Sequence, residues 1–230
     1  VVDLKESLKK ISLFASMSHT DLAFIAERTK TLSICSQELL FSAGEKSSDV
    51  YFIFEGKLAV KYFSESGREI SYTTVSSGSI LGEFSAVDLL PRSATVVCED
   101  DAILGKMKSN YFSEILVRFP VVAETVINKL VEKNRRLVNR IFEYDALTLR
   151  QRICREILRI QAQRERESGK KTRKLSNFPT HYHIATMIGS HREAVSRELS
   201  SLEKSGVITS GRRTLQIERQ DLLSMLANSH

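Results

Sequence analysis

The sequence predicts an α+β chain: an N-terminal antiparallel β-barrel or roll, a long helix after it, and a small C-terminal domain of short helices closed by a β-hairpin. Three observations carry this. Between Thr31 and Met107 the chain breaks into short runs rich in β-branched and aromatic residues, punctuated by glycine turns. From Tyr111 onward apolar residues return at helical spacing. Beyond Thr180 two short helical patterns meet at Gly189 and are followed by two β-rich runs. At 230 residues the chain exceeds the usual size of one domain, and the changes of pattern divide it into 1–111, 112–147 and 148–230.

Taken in order, a helix is expected over Asp21 to Thr31, where Leu22, Ile25 and Ala26 recur at helical spacing behind Ser18 and Thr20 as N-caps. Strands follow at Val50–Phe54, Leu58–Phe63 and Ile70–Val75, separated by turns at Glu55-Gly56 and Ser66-Gly67. In the long helix, Ile127, Leu130, Asn134, Leu137, Ile141, Tyr144 and Thr148 follow alternating steps of three and four. Such a heptad seam suits pairing with a second copy, and the lone polar Asn134 suits fixing its register, so a homodimer is expected. The alternative is a helix packed on its own domain. Gln161 to Lys174 is polar, holds Ser168-Gly169 and is rich in Lys and Arg, so a mobile, exposed connection is expected there.

Hydrophobic residues make up 42% of the chain and charged ones 27%, ordinary globular usage. No apolar run approaches the roughly 20 residues that span a bilayer, and Val1 to Lys10 is charged and amphipathic rather than signal-like. A cytoplasmic protein with no membrane partner is the expectation. Cys35, Cys98 and Cys154 lack the close spacing of a zinc or iron-sulfur site and read as three reduced, structural cysteines. Residues 1–111 hold 12 basic and 15 acidic side chains, net −3, and the remainder 22 and 13, net +9. Positive charge gathered in one half suits a nucleic-acid partner. No Ser/His/Asp set, metal-ligand spacing or phosphate-transfer loop is apparent, so no catalytic residue, metal or prosthetic group is expected. His181 and His183 flank Tyr182 and offer at most a weak metal pair.

The most informative run of the first half is Gly82-Glu83-Phe84-Ser85-Ala86-Val87-Asp88-Leu89-Leu90-Pro91-Arg92-Ser93-Ala94-Thr95-Val96. It supplies a glycine for close backbone approach, a carboxylate, a short helix ended by Pro91, one arginine, and a small hydroxyl residue entering a strand. Those parts suit a cyclic phosphodiester: the arginine neutralises phosphate, helix N–H groups cap its oxygens, and the carboxylate accepts from a ribose hydroxyl. The alternative is a surface Glu–Arg pair beside a tight turn. The run resembles the phosphate-binding cassette of cyclic-nucleotide-binding domains, including the step from Gly82 to Arg92. That resemblance implies that Glu83 holds the ribose 2′-hydroxyl and Arg92 the cyclic phosphate. Ser93 and the backbone around Ser85, with Phe84 and Ala94 alongside, would hold the rest.

In the second half Thr180 is a good N-cap, Ile184, Ala185 and Ile188 form an apolar face, and Gly189 breaks the helix. A second helix beginning near Ser190 turns Ala194, Val195, Leu199 and Leu202 inward and leaves His191, Arg192, Glu193, Ser196 and Arg197 free. Gly206-Val207-Ile208 and Leu215-Gln216-Ile217 then bracket a turn at Gly211, the pattern of a wing. Arginine bonds guanine O6 and N7 in the major groove, and glutamate accepts from cytosine N4. Ser190, Thr180, Arg212 and Arg213 suit phosphate contacts.

From the roll to the C-terminus the chain resembles the cAMP receptor protein and fumarate-nitrate regulator (CRP/FNR) family of transcription regulators, most of all its cyclic-nucleotide-responsive members. The string His191-Arg192-Glu193-Ala194-Val195-Ser196-Arg197 resembles their recognition helix, with Arg192, Glu193 and Arg197 at its base-reading positions. The resemblance implies a jelly-roll-like double-stranded β-helix, a dimerisation helix and a winged helix-turn-helix. It further implies a homodimer on a double-stranded, TGTGA-like palindromic operator, cAMP as allosteric ligand, and RNA polymerase as partner. Two departures stand out. Relatives carry an acidic residue where this chain has His183, which reads as solvated or locally bonded. In cAMP-responsive members a Thr-Ser pair on the dimer helix contacts adenine, where this chain has Leu137 and Val138. Asn134, one turn earlier, offers an amide that donates and accepts, so relaxed selection between cAMP and cGMP is expected. The alternatives are the same scaffold without a ligand or with another effector, and a cyclic-nucleotide-dependent module acting on a protein.

Overall fold

The computed structural model describes residues 3–63, 67 and 69–228, with side chains for all of these except 69–72 and 167. The chain divides into two compact units, Val1–Asn134 and Arg135–His230.

The first unit opens with α1 (Leu4–Lys9), capped by the Asp3 carboxylate, and α2 (His19–Ala26), capped by Ser18, which accepts from the Asp21 N–H. The second helix stops short of the expected Thr31 because Thr31 already pairs with Gly105 in a sheet. Strands β1 (Lys30–Ile34), β2 (Leu39–Phe41), β3 (Val50–Phe63), β4 (Glu69–Ser76) and β5 (Ile80–Leu81) follow. After them come α3 (Glu83–Asp88), β6 (Thr95–Met107), α4 (Ser109–Arg118) and α5 (Pro120–Ala146). Six antiparallel strands form the roll, in the order β1-β6-β3-β4 with β2 on β6 and β5 on β3. Both faces of β3 are covered, which explains its unbroken apolar run. Val50, Phe52 and Phe54 meet the core shared with the helices, while Tyr51 and Ile53 fill the inside of the roll. Phe119 precedes Pro120, so its backbone is pushed out of the helical region and separates α4 from α5.

Glu55-Gly56 is not a turn. The two strands expected around it are one, β3, and the register against β6 shifts at Glu55 and again at Lys57. Gly56 has φ +90°, and a Cβ there would lie 2.6 Å from the Ala102 Cβ, so glycine serves close strand approach. Of the turn expected at Ser66-Gly67, Ser66 lies outside the described residues. Cys98 and Cys154 are buried, but Cys35 is exposed and fills no core, contrary to the expectation of three structural cysteines.

The second unit adds α6 (Leu149–Ser168), β7 (Lys174–Ser176), α7 (His181–Met187), α8 (Arg192–Lys204), β8 (Ile208–Gly211), β9 (Thr214–Ile217) and α9 (Gln220–Asn228). Thr148 is the N-cap of α6, in a reciprocal capping box with Gln151, and so is not the last seam residue of α5. The expected connection from Gln161 is mostly helix: Ile153, Cys154, Ile157 and Ile160 keep α6 amphipathic, and Gln161 is buried, donating to the Thr172 carbonyl at 2.8 Å. Only at Gly169, φ +67°, does the helix end. A third strand, β7, pairs with β9 and was not expected. The hairpin turns at Arg212 and Arg213, with Gly211 still paired to Thr214 in the ladder. Gly206, φ +68°, follows the C-cap of α8 and lies outside the strand.

Two buried glutamates join α5 to α6 in this unit. Glu143 and Glu156 are each 3% exposed. Arg140 bridges both, at 3.8 Å from Glu143 and 2.8 Å from Glu156, Arg155 approaches Glu143 at 3.6 Å, and Arg159 bonds both carboxylates. Burial alone pushes the Arg159 guanidinium down; Glu156 and Glu143 more than offset it. Among the described residues no helix is long and apolar enough to cross a membrane.

Candidate nucleotide site and candidate DNA interface

The nucleotide candidates from Gly82 to Ala94 lie in the first unit, with Arg92 among them. Gly82 precedes α3 with φ +81°, and a Cβ there would lie 2.5 Å from Arg92 Nη1 and 2.6 Å from the Asp49 carbonyl, so the position admits only glycine without displacement. Arg92 is 3% exposed. Its Nε–H donates to Ser47 Oγ at 2.8 Å, Nη1 to the Gly82 carbonyl at 3.3 Å and Nη2 to the Asp49 carbonyl at 2.8 Å. The guanidinium lies 4.2 Å from the Phe41 ring centroid. No ion pair to Arg92 is present among the described residues. Burial pushes its guanidinium down from the ordinary value, opposed by Tyr51, Glu45 and Asp49. The carboxylates of Glu45 and Asp49 act on this buried cation at a distance while its direct bonds go to neutral oxygens, an arrangement that suits an anionic ligand.

Glu83 opens α3 and does not pair with Arg92, which sets aside the surface Glu–Arg alternative. Its Oε1 lies 3.7 Å from Lys133 Nζ, and Lys133 Nζ lies 4.0 Å from the centroid of the half-buried Phe84 ring. Lys133 is a neighbour of the candidate residues that sequence reasoning missed, since one lysine on a cation-rich helix carries no distinguishing signal. Burial pushes the Tyr62 phenol up, and the Glu83 charge adds to this, so Tyr62 is a further neighbour. Ser85 and Ala94 are buried and Ser93 is exposed. The helix ends before Pro91, at Leu89, which takes φ +58°.

Asn134, Leu137 and Val138 are exposed on α5, Asn134 closing the first unit and the other two lying in the second. The rest of the seam within α5 is exposed at Ile127, Ile141 and Tyr144, while Leu130 is partly buried against the core. An apolar row on a helix surface is the physical requirement for pairing through it.

In the second unit the Thr180 side chain accepts from the His183 N–H, capping α7, and Ile184, Ala185 and Ile188 are buried as expected. Gly189 takes φ +62°, and a Cβ there would come within 3.1 Å of the Tyr144 ring. Tyr144 also donates its hydroxyl to the Met187 carbonyl at 3.2 Å, so the turn between the helices rests on the last turns of α5. Helix α8 buries Val195, Leu199 and Leu202 and exposes Arg192, Glu193 and Arg197 on one side, with His191 as its N-cap. Ser196 is not free as expected: its hydroxyl is bonded to His181 Nδ1 at 2.8 Å, tying α7 to α8. Ser196, Arg197, Ser200, Ser201 and Lys204 line an open concavity of about 400 Å³. Ser190 is half-buried, and its N–H donates to the Ala185 carbonyl at 2.8 Å. Arg212 and Arg213 are exposed at the hairpin tip. His183 is half-buried with its ring against Tyr182, 5.8 Å between centroids. No group of three or more His, Cys, Asp or Glu side chains placed to hold a metal is found among the described residues.

Comparison with known proteins places a family on each unit. The family model described as "Cyclic nucleotide-binding domain" matches residues 31–119, and that described as "Crp-like helix-turn-helix domain" matches residues 151–226. A curated relative from Mycobacterium tuberculosis, named a CRP-like cAMP-activated global transcriptional regulator, is 22% identical over 226 residues, covering 97% of this chain and 100% of its own. The cyclic AMP receptor protein of Thermus thermophilus is 28% identical over 192 residues, covering 82% of this chain and 83% of its own. Among solved structures, FixK2 from Bradyrhizobium japonicum superposes with a TM-score of 0.70 at 17% identity, covering 88% of this chain and 98% of that one, a likeness of fold. With a cyclic nucleotide-binding domain and a Crp-like helix-turn-helix domain in that order along one chain, the protein belongs to the CRP/FNR family of DNA-binding transcription regulators.

Proposed function

We propose that the protein is a homodimer whose binding to a TGTGA-like palindrome is controlled by a 3′,5′-cyclic nucleotide, cAMP with cGMP also accepted. The observation that carries this is Arg92, a buried guanidinium bonded only to neutral oxygens beside the N-terminus of α3. Glu83 is the ribose ligand, and Ser93 with the backbone at Ser85 completes the phosphate contacts. The relatives named above as a cAMP-activated regulator and a cyclic AMP receptor support the choice of ligand. Leu137 and Val138 bring no hydroxyl to the base, so Asn134 is its polar contact and discrimination is weak.

The exposed row on α5 is the dimer seam. Arg192, Glu193 and Arg197 read base edges, and Thr180, Ser190, His191, Ser196, Arg212 and Arg213 position the domain on the duplex, with half-sites about one helical turn apart. RNA polymerase is the onward partner. Ligand and operator are linked through the dimer arrangement, each binding one state more tightly. The test is operator affinity measured across cAMP and cGMP concentrations on palindromic and scrambled duplexes. Tighter binding to the palindrome with either nucleotide is expected. Unchanged affinity with and without both would replace this reading by a ligand-independent regulator, and a thousand-fold preference for one nucleotide would end the claim of weak discrimination.

A further inference from the structure

Arg92 is gripped from behind by the segment between β2 and β3, Ser42-Ala43-Gly44-Glu45-Lys46-Ser47-Ser48-Asp49. Backbone bonds run both ways: the Gly44 N–H donates to the Arg92 carbonyl at 2.8 Å, and the Arg92 N–H donates to the Glu45 carbonyl at 3.0 Å. The side chain is held by the same segment, through Ser47 Oγ on Nε and the Asp49 carbonyl on Nη2. Glu45 in turn is fixed by the Ser42 N–H at 3.2 Å. Its carboxyl is held below the ordinary value, first by a hydrogen bond with Ser47 and then by that Ser42 N–H.

A serine hydroxyl has one proton and two lone pairs. With Nε–H donating into Ser47 Oγ, the hydroxyl proton is directed to Glu45, and a carboxylate–hydroxyl–guanidinium chain results. A guanidinium carries five N–H donors in a rigid fork. Ser47 occupies the donor on the Nε edge, and Gly82 and Asp49 take one on each terminal nitrogen. The N–H groups not taken by these three are on the terminal nitrogens, where the Tyr51 hydroxyl also lies close.

We infer that Ser47 is a positioning residue for the phosphate contact: by closing the Nε edge of Arg92, oriented by Glu45, it decides which edge of the fork meets the cyclic phosphate. Neither the sequence motif nor the cassette contains it. The inference rests on the reading of Arg92 as the phosphate ligand. Without the Ser47 hydroxyl the Nε edge is unsatisfied, the fork rotates about its Cδ–Nε bond, and the terminal donors leave the phosphate.

Calorimetry on the full chain tests this with cAMP and with its two phosphorothioate diastereomers, in which one or the other exocyclic oxygen is sulfur. Ser47→Ala should weaken cAMP binding about 10-fold and change the ratio of affinities for the two diastereomers. Ser47→Thr, which keeps the hydroxyl, should restore both, with melting temperatures recorded for each variant. Equal weakening for both diastereomers, or failure of Ser47→Thr to rescue a folded protein, would overturn the positioning role, as would unchanged binding in Ser47→Ala. Arg92→Ala separates the two levels. If it binds cAMP like the wild type, the reading of the site itself fails, and if it loses binding while Ser47→Ala does not, only the role of Ser47 falls.

Discussion

The two units bury charge in opposite ways. In the first, one cation, Arg92, is enclosed by a hydroxyl, two carbonyls and an aromatic face. In the second, two glutamates are enclosed by three arginines, each carboxylate answered at short range. A closed ionic network has its opposite charges in contact and holds helices together; Arg92 has carboxylates only at a distance and bonds directly to neutral oxygens, which leaves capacity for a further anion. The difference is the one expected between a structural joint and a candidate ligand site.

The strongest way to break that comparison is to remove one member from each. Glu143→Ala leaves Arg155 and Arg159 short of a partner and should destabilise the second unit by about 3–5 kcal/mol, read by chemical denaturation. Arg92→Ala should lower cAMP affinity roughly 100-fold or more while denaturation of the first unit changes far less. If Arg92→Ala unfolds its unit as thoroughly as Glu143→Ala does the other, the distinction between site and joint is wrong.

A second measurement asks how dry the second unit is around its network. Burial pushes the Cys154 thiol, on the apolar face of α6, up from about 9 to about 11. Below pH 9 the thiol is protonated in both states and contributes no pH dependence. As pH rises from 9 to 11 the unfolded chain ionises first, so about 2–3 kcal/mol of stability is lost over that window. Cys154→Ala should remove that slope. In native protein at pH 8, iodoacetamide should label Cys35, the exposed cysteine, and leave Cys154 intact. Rapid labelling of Cys154 would mean that the interior opens.

The smallest effects belong to the exposed arginines, where charge is neither enclosed nor paired. Arg192→Ala should remove about 1–3 kcal/mol of base discrimination, seen as a narrowed gap between operator and scrambled duplex. Arg212→Ala should weaken both alike and lower the salt slope by about 1. The converse pattern would exchange their roles.

Local signals were legible. Thr180, Gly189 and the apolar positions of α7 and α8 announce their helices because caps and periodicity act within a few residues. Gly82 and Arg92 announce the cassette because the motif is contiguous. What needed three dimensions was long-range. Gly56 looks like a turn in sequence, and only the approach of Ala102 makes it a strand crossing. The outer face of α6 is polar enough to imitate a loop, and β7 is three residues recognisable by pairing with β9. Lys133, Ser47, the His181–Ser196 bond and the Glu143–Glu156 network join residues far apart in the chain, which no local pattern encodes.

Arg213 stands at the hairpin tip with φ +54°, a backbone state that glycine adopts freely and that the Cβ of any other residue disfavours. Holding it there costs about 1 kcal/mol or more, so Arg213→Gly should raise the melting temperature of the second unit while reducing affinity for any duplex. Arg213 therefore holds a positive charge at the tip of the wing at the expense of backbone comfort.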